Sequence, residues 1–317
     1  MSYIAHAATL ALAWFIAVNA VSSLAVLGLA ARPPRAAPHL LALRLLPGAI
    51  SVAFVAALFL PSYWAFEPRD YVEGFDVTIT LLAVAAAAMI AAAAARGAQA
   101  WRRAQWRARV WTSASAPVEI DLCDAPAFAV DTPEPMMALV GVLRPRLIVT
   151  RGLMAALTPE EIAAGAAHEA AHGRARDNLA RLAMRAAPDF LHWTRAARRL
   201  EQRWAAAAEY RADAAAIGRG SGARLALASA LVKAARLMPS TPLVNEPVST
   251  LVCGGEIAGR VERLIADSGA AATANARSHR LRWIALAALG AAAVALTYVP
   301  LLAAIHGVTE ILVQRLP

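Results

Sequence analysis

The chain has 317 residues, 59% of them hydrophobic, with a mean hydropathy of +0.50 and a formal net charge of +9. That balance excludes an ordinary soluble enzyme, and two isolated cysteines, Cys123 and Cys253, argue against a disulfide framework and against thiolate zinc ligation. Lys233 is the only lysine, and the arginine excess follows membrane topology more simply than it follows a polyanion, so no direct nucleic-acid partner is expected.

In chain order, residues 4–31 contain no Asp, Glu, Lys or Arg, and the same holds for 45–66, 77–95 and 283–309. Each run can cross about 30 Å of hydrocarbon as a helix. The first lacks a basic leader and is too long for a signal peptide, so it reads as a true span. The link between spans one and two carries Arg32, Arg35 and Arg44, whereas the next carries Glu67, Asp70, Glu73 and Asp76 against Arg69. Arg96, Arg102, Arg103, Arg107 and Arg109 follow span three, and Arg277, Arg280 and Arg282 precede span four. Positive-inside bias then puts the first link and the central region in the cytoplasm and both termini outside an inner, cytoplasmic membrane. Trp101, Trp106 and Trp111 read as an interfacial belt. The expected layout is residues 1–95 with three spans, 96–282 as a cytoplasmic domain, 283–309 as span four, and a short tail over 310–317. Pro47, Pro61 and Pro300 lie at or near span ends.

The central region opens with strand signals. Residues 117–122 alternate Val118, Ile120 and Leu122 with polar partners, and 127–130 continue in that vein. Residues 138–143 and 146–150 flank Arg144-Pro145 as a hairpin. A small antiparallel sheet is expected, whose outer strand could hold an extended peptide by β-augmentation. Helices are expected over 194–217, closed by Gly218 and Gly220, over 223–237, and over 256–265 after a loop with Pro239, Pro242 and Pro247.

The chemistry concentrates after Thr158. Thr158 with Glu161 forms a capping-box pattern, and Pro159 takes the first helical position, where its missing N–H costs nothing. The helix so started carries His168-Glu169-Ala170-Ala171-His172. Two imidazoles four residues apart share a face one turn apart, where they can bind one tetrahedral ion, with Glu169 beside them to take a proton from water. A third ligand is needed, and Glu209 on the 194–217 helix supplies it, with Glu201 as its rival. Asp213, four residues on, is suited to accept a ligand histidine's ring N–H, or to pair with a surface arginine. Asp177, five residues after His172, falls on a different face of one continuous helix and reads as structural.

Gly141-Val142-Leu143-Arg144-Pro145-Arg146-Leu147-Ile148-Val149, Leu157-Thr158-Pro159-Glu160-Glu161, the His168–His172 motif with Asp177, and Glu209 with Asp213 together resemble the M56 membrane zinc peptidases, the family of the BlaR and MecR sensor-transducers. That family is related to the M48 group that includes HtpX. The resemblance spans roughly residues 138–217, and three spans, a protease domain and a fourth span also match; the extracellular penicillin-binding domain of the sensor members is missing. It implies a mainly α membrane protein, four transmembrane helices with a cytoplasmic α+β zincin-like domain (gluzincin type) between helices three and four. It implies Zn2+ on His168, His172 and Glu209, with Glu169 as general base. The oxyanion-stabilising donor is left among Arg260, which lies in a segment like one in the family, His192, and Tyr210, although Tyr210 points about 100° away from Glu209. The expected function is an endopeptidase that cuts a cytoplasmic or membrane-proximal protein, by analogy a transcriptional repressor. The alternatives are membrane-protein quality control and a catalytically inactive four-pass scaffold.

Overall fold

The structure, a computed structural model, describes residues 2–31, 36–69, 77–218, 222–237, 249–250, 257–266 and 297–315. Cys253, the three prolines expected in the loop after residue 237, Arg277, Arg280, Arg282 and residues 283–296 lie outside them. Three long helices come first: α1 (Tyr3–Leu29), α2 (Ala37–Phe66) and α3 (Val77–Ser113). Strands β1 (Ser115–Val118), β2 (Ala127–Val130), β3 (Met137–Val140) and β4 (Arg146–Thr150) follow. Then come α4 (Arg151–Ala156), α5 (Pro159–Arg174), α6 (Asp177–Arg185), a 3-10 turn (Phe190–Trp193), α7 (Arg195–Ile217), α8 (Ala223–Leu237), β5 (Ser249–Thr250), α9 (Ile257–Ala266) and α10 (Thr297–Arg315). The protein is mostly helical, and α1, α2, α3 and α10 are each long and apolar enough to cross a membrane.

Three of these helices run past the limits that uncharged runs suggest, α10 continuing beyond residue 309 through most of the expected tail to Arg315. α2 starts at Ala37 rather than residue 45 because Arg44, which ends the uncharged run, is itself buried in the helix. α3 continues through its arginines to Ser113, since Ala, Arg and Gln are good helix formers. Its 37 residues make a rod of about 55 Å, well beyond hydrocarbon thickness. The far end packs on the sheet, where Ala108 joins Ala138, Val140 and Ile148, and Trp111 lies against them. Trp111 is thus a packing residue, while Trp106 is exposed. Pro47 and Pro61 sit inside α2, not at its ends. Pro61 has no N–H to offer the Ala57 carbonyl, and that carbonyl accepts from the Tyr298 hydroxyl of α10 at 2.6 Å, next to a π-turn over Val55–Phe59.

The sheet is mixed rather than antiparallel, in the order β1-β2-β4-β3-β5. β3 and β4 form the expected hairpin, Met137 opposite Val149 and Val140 opposite Arg146. Gly141, at φ +91°, makes its turn, a conformation that costs an L side chain dearly. β2 pairs with β4 in parallel, because the chain crosses over between them. β5 covers β3 at Ala138 and Leu139, so β3 is not the sheet's outer strand. One face of the sheet packs α5: Met137, Leu147 and Val149 meet Ala164, Ala166 and Ala167, with Leu227 and Leu231 of α8 behind. Alanine on that face lets the helix axis approach closely.

The segment between α6 and α7 is gripped by three apolar helices. From α1, Asn19 donates to the Pro188 carbonyl at 2.9 Å and accepts from the Phe190 N–H at 3.2 Å. From α2, fully buried Arg44 pairs with buried Asp189 at 2.7 Å and with Glu201 at 2.9 Å, and donates to the Met184 carbonyl at 3.2 Å. From α3, Arg96 donates to the carbonyls of Arg185 (3.3 Å) and Ala187 (3.2 Å). A Cβ on Gly97 would lie 2.7 Å from that of Ala186, so only glycine permits this approach. An apolar core shared by the two regions surrounds the grip: Val26 and Leu40 with Met184, Leu191, Leu200 and Trp204.

Breaking a buried pair on one side leaves an uncompensated charge, whereas replacing both partners removes the cost. Arg44→Met is therefore expected to destabilise the purified protein by about 3–5 kcal/mol. Adding Asp189→Asn, which removes the buried charge and keeps an oxygen for the His192 backbone N–H, should restore part of that loss, as read by thermal unfolding in detergent. A double variant no more stable than the single one would contradict the role given to this pair.

Candidate metal centre

α5 begins as its sequence dictates. The Thr158 hydroxyl accepts from the Glu161 N–H, and the Glu161 carboxylate accepts from the Thr158 N–H at 2.8 Å. Glu161 also accepts from Ser229 and Lys233 of α8, at 2.6 and 2.8 Å, so the helix start is tied to its neighbour. Burial alone would raise the Glu161 carboxyl, but Lys233, Ser229 and the Thr158 N–H outweigh it and hold its pKa below the ordinary 4.5. A depressed carboxylate adds stability that is present above about pH 4.5 and lost as the pH falls below it.

Three turns on, His168 and His172 are buried, and their Nε2 atoms face each other at 3.1 Å. Glu209 reaches in from α7, its Oε2 3.4 Å from His168 Nε2 and its Oε1 3.5 Å from His172 Nε2. A tetrahedral ion with bonds of about 2.0–2.1 Å requires donor separations of about 3.3 Å. The His–His distance and the two His–Glu distances, each to a different oxygen of the carboxylate, lie close to that value, and the three residues form a candidate metal site. The donor set suits zinc: two imidazole nitrogens and one carboxylate oxygen, which would leave one net positive charge on a divalent ion.

The outer ring nitrogens are held as well. His172 Nδ1 lies 2.6 Å from Asp177 Oδ2, and Asp177 is in turn gripped by Arg211 at 2.7 Å. His168 Nδ1 lies 2.9 Å from Asp213 Oδ1, without full hydrogen-bond alignment. Arg260 of α9 binds both Asp213 oxygens, Nε to Oδ2 at 2.9 Å and Nη2 to Oδ1 at 2.6 Å. Its Nη1 is 3.1 Å from Glu209 Oε2. A carboxylate on the second nitrogen fixes the ring tautomer that presents Nε2 as the ligand atom.

This ring of acids favours positive charge in its midst. Burial disfavours the His172 imidazolium, yet Asp177 and Glu209 hold its pKa up at about 9. His168 is raised in the same way, burial being outweighed by Asp213 and Glu209. Glu209 itself lies well below the carboxylate range, since its two imidazole partners outweigh its burial. Glu169 goes the other way: full burial raises it, and neither carboxylate oxygen has a hydrogen-bond partner among the described residues. Leaving a buried carboxylate unpaired costs several kcal/mol. Arg181, whose guanidinium lies 5.6 Å over the Trp204 ring, is close enough to draw the Glu169 pKa back down.

A family model described as peptidase family M48 matches residues 100–282, more than half of the chain. The chain belongs to peptidase family M48. Its members are metallopeptidases, usually of zinc, in keeping with the donor set found here. No curated protein matches the chain.

The matched M48 region holds every residue just described. Of the further candidates, Arg260 is at the site, but its donors are engaged by Asp213 and Glu209. His192 is elsewhere, on the 3-10 turn, with its ring against Trp193 and its N–H bonded to Asp189. Tyr210 is half exposed beneath the Arg263 guanidinium, 4.1 Å from the ring centroid. Glu201 pairs with Arg44 and takes no part. Asp177 is the residue that helix periodicity misplaces. The helix does not continue past His172: Arg176 adopts a left-handed conformation (φ 56°) and a new helix starts at Asp177, turning its carboxylate back onto the imidazole.

Two outcomes follow. Asp177→Asn is expected to weaken zinc binding 10- to 100-fold, measured by competition with a chromophoric chelator, and an unchanged affinity would exclude the tautomer role. Because the imidazoles must shed protons to bind a cation, zinc binding should release at least one proton per ion near neutral pH, measured by calorimetry in buffers of differing ionisation enthalpy. No release would contradict the raised histidines.

Proposed function

We propose that this M48 metallopeptidase is an integral-membrane zinc endopeptidase of M56-like type that cuts a cytoplasmic or membrane-proximal protein. The observation that carries the reading is the His168/His172/Glu209 triangle beside an unpartnered, buried Glu169. Zinc bound by those three residues would supply Lewis acidity, easing deprotonation of a water and polarising a scissile carbonyl. Glu169 accepts the water's proton and passes it to the leaving amine; its raised pKa suits a group that must both take and give a proton. Asp177 and Asp213 keep the two imidazoles in the ligating tautomer. Arg260 positions Glu209 and Asp213.

In this reading Arg96, Arg102, Arg103, Arg107 and Arg109, which lie in the half of α3 that leads into the sheet, put the peptidase domain in the cytoplasm. Arg44 drops out of that tally, being consumed by Asp189 and Glu201. The substrate is a repressor-type regulator, by the likeness to the BlaR and MecR group. Quality control of damaged membrane proteins fits family M48 equally, and the two differ in substrate number.

Glu169→Gln is expected to keep its zinc and to lose at least about 100-fold in peptide cleavage, the scale of a lost general base. Quantitative proteomics of cells carrying the native chain or Glu169→Gln should show one or a few regulators cut only by the former. Broad turnover of membrane proteins would favour quality control. Full zinc content with identical proteomes in both strains would favour the scaffold.

A further inference from the structure

A second group of metal-ligating side chains lies at the C-terminal end of α2. Glu67 closes that helix as its C-cap, and His306 and Glu310 project from α10. One ligand atom from each falls within 4.8 Å of the others. Glu67 Oε2 is 3.8 Å from His306 Nδ1, and the side chains are only 11% and 23% exposed. The His306 ring is stacked on Phe66, with centroids 5.8 Å apart at 27°, which limits its rotation. Ser62 of α2 donates to the Leu302 carbonyl at 2.6 Å, one turn before His306. The frame that carries the three groups is thus fixed by contacts other than their own.

We propose that Glu67, His306 and Glu310 form a second binding site for a first-row divalent cation, separate from the catalytic centre. The pattern repeats that centre's logic: two ligands four residues apart on one helix face, here His306 and Glu310, and a carboxylate from another helix. Two carboxylates and an imidazole balance a divalent charge and suit Zn2+ or Mn2+. They leave coordination positions for water, as befits a partly exposed site. A cation there would relieve the repulsion between two carboxylates brought together at the end of an apolar bundle, which His306 alone, with one charge at most, does less completely. Glu67 and Arg44 lie on the same helix, 23 residues or about 35 Å apart, so this cluster is remote from the point where α2 grips the peptidase domain through Asp189 and Glu201.

The test is zinc and manganese binding by the full chain in detergent, by equilibrium dialysis with elemental analysis. The wild-type protein is expected to hold two zinc equivalents. His306→Ala with Glu310→Gln should hold one and retain peptide cleavage, and His168→Ala should also hold one, which Mn2+ displaces. The milder Glu67→Gln alone should weaken the second equivalent at least tenfold, and coincident thermal unfolding curves of the metal-free proteins would show that the fold is kept. A single equivalent in the wild type that vanishes in His168→Ala overturns the proposal and leaves the catalytic centre standing. A second equivalent that survives in both the His306/Glu310 double variant and Glu67→Gln also overturns it. One equivalent that persists in His168→Ala and is lost in the double variant would instead refute the catalytic assignment.

Discussion

The arrangement of this protein depends on a carboxylate from one helix meeting two imidazoles from another at the separation a single ion imposes. Neither helix can do this alone. His168 and His172 share a face because a helix turns every 3.6 residues, but the third donor comes from α7, 37 residues beyond His172. Everything between them, the αL turn at Arg176, α6 and the 184–193 segment, serves to bring α7 back alongside α5. The acids behind the rings then make the cluster hospitable to a cation. Taken without a cation, these buried carboxylates and raised imidazoles would be an expensive core; with one, their charges are used.

The same connection ties the peptidase domain to the apolar helices. The 184–190 segment lies between the helix that supplies Asp177 and the helix that supplies Glu209 and Asp213, and it is held by Asn19, Arg44 and Arg96 from three different helices. A shift of any one of them bears on a short segment that joins the helix carrying Asp177 to the helix carrying Glu209 and Asp213. Buried polar contacts of this kind have sharp geometric optima, so the link is stiff. The geometry of the candidate metal centre and the packing of the apolar helices are therefore parts of one mechanical unit.

Much of this was legible in the residues. The capping box at Thr158 and the two histidines four apart rest on local rules, Glu209 was named as the third donor with the family resemblance in support, and the structure puts all three donors together. The β3–β4 hairpin and the α7 limits also follow from local patterning. What periodicity could not show were the places where the chain departs from a regular element. Asp177 looked misplaced only on the assumption that the helix ran on through Arg176; two polar residues and an arginine just after a helix end were the available signal for a restart. Arg44 counted as a loop charge because its partners, Asp189 and Glu201, are about 150 residues away. The parallel pairing of β2 with β4 depends on a crossover that no short window contains. His192 and Tyr210 were oxyanion candidates by residue type alone, and type does not say which way a side chain turns.

The most direct test is an experimental map of the zinc-loaded protein with data collected on either side of the zinc absorption edge. An anomalous peak enclosed by His168 Nε2, His172 Nε2 and the Glu209 carboxylate, about 2.0–2.2 Å from each, is the expected result. A peak ligated by the two histidines with Glu209 turned away, or no peak between them in protein that cleaves its substrate, would contradict it.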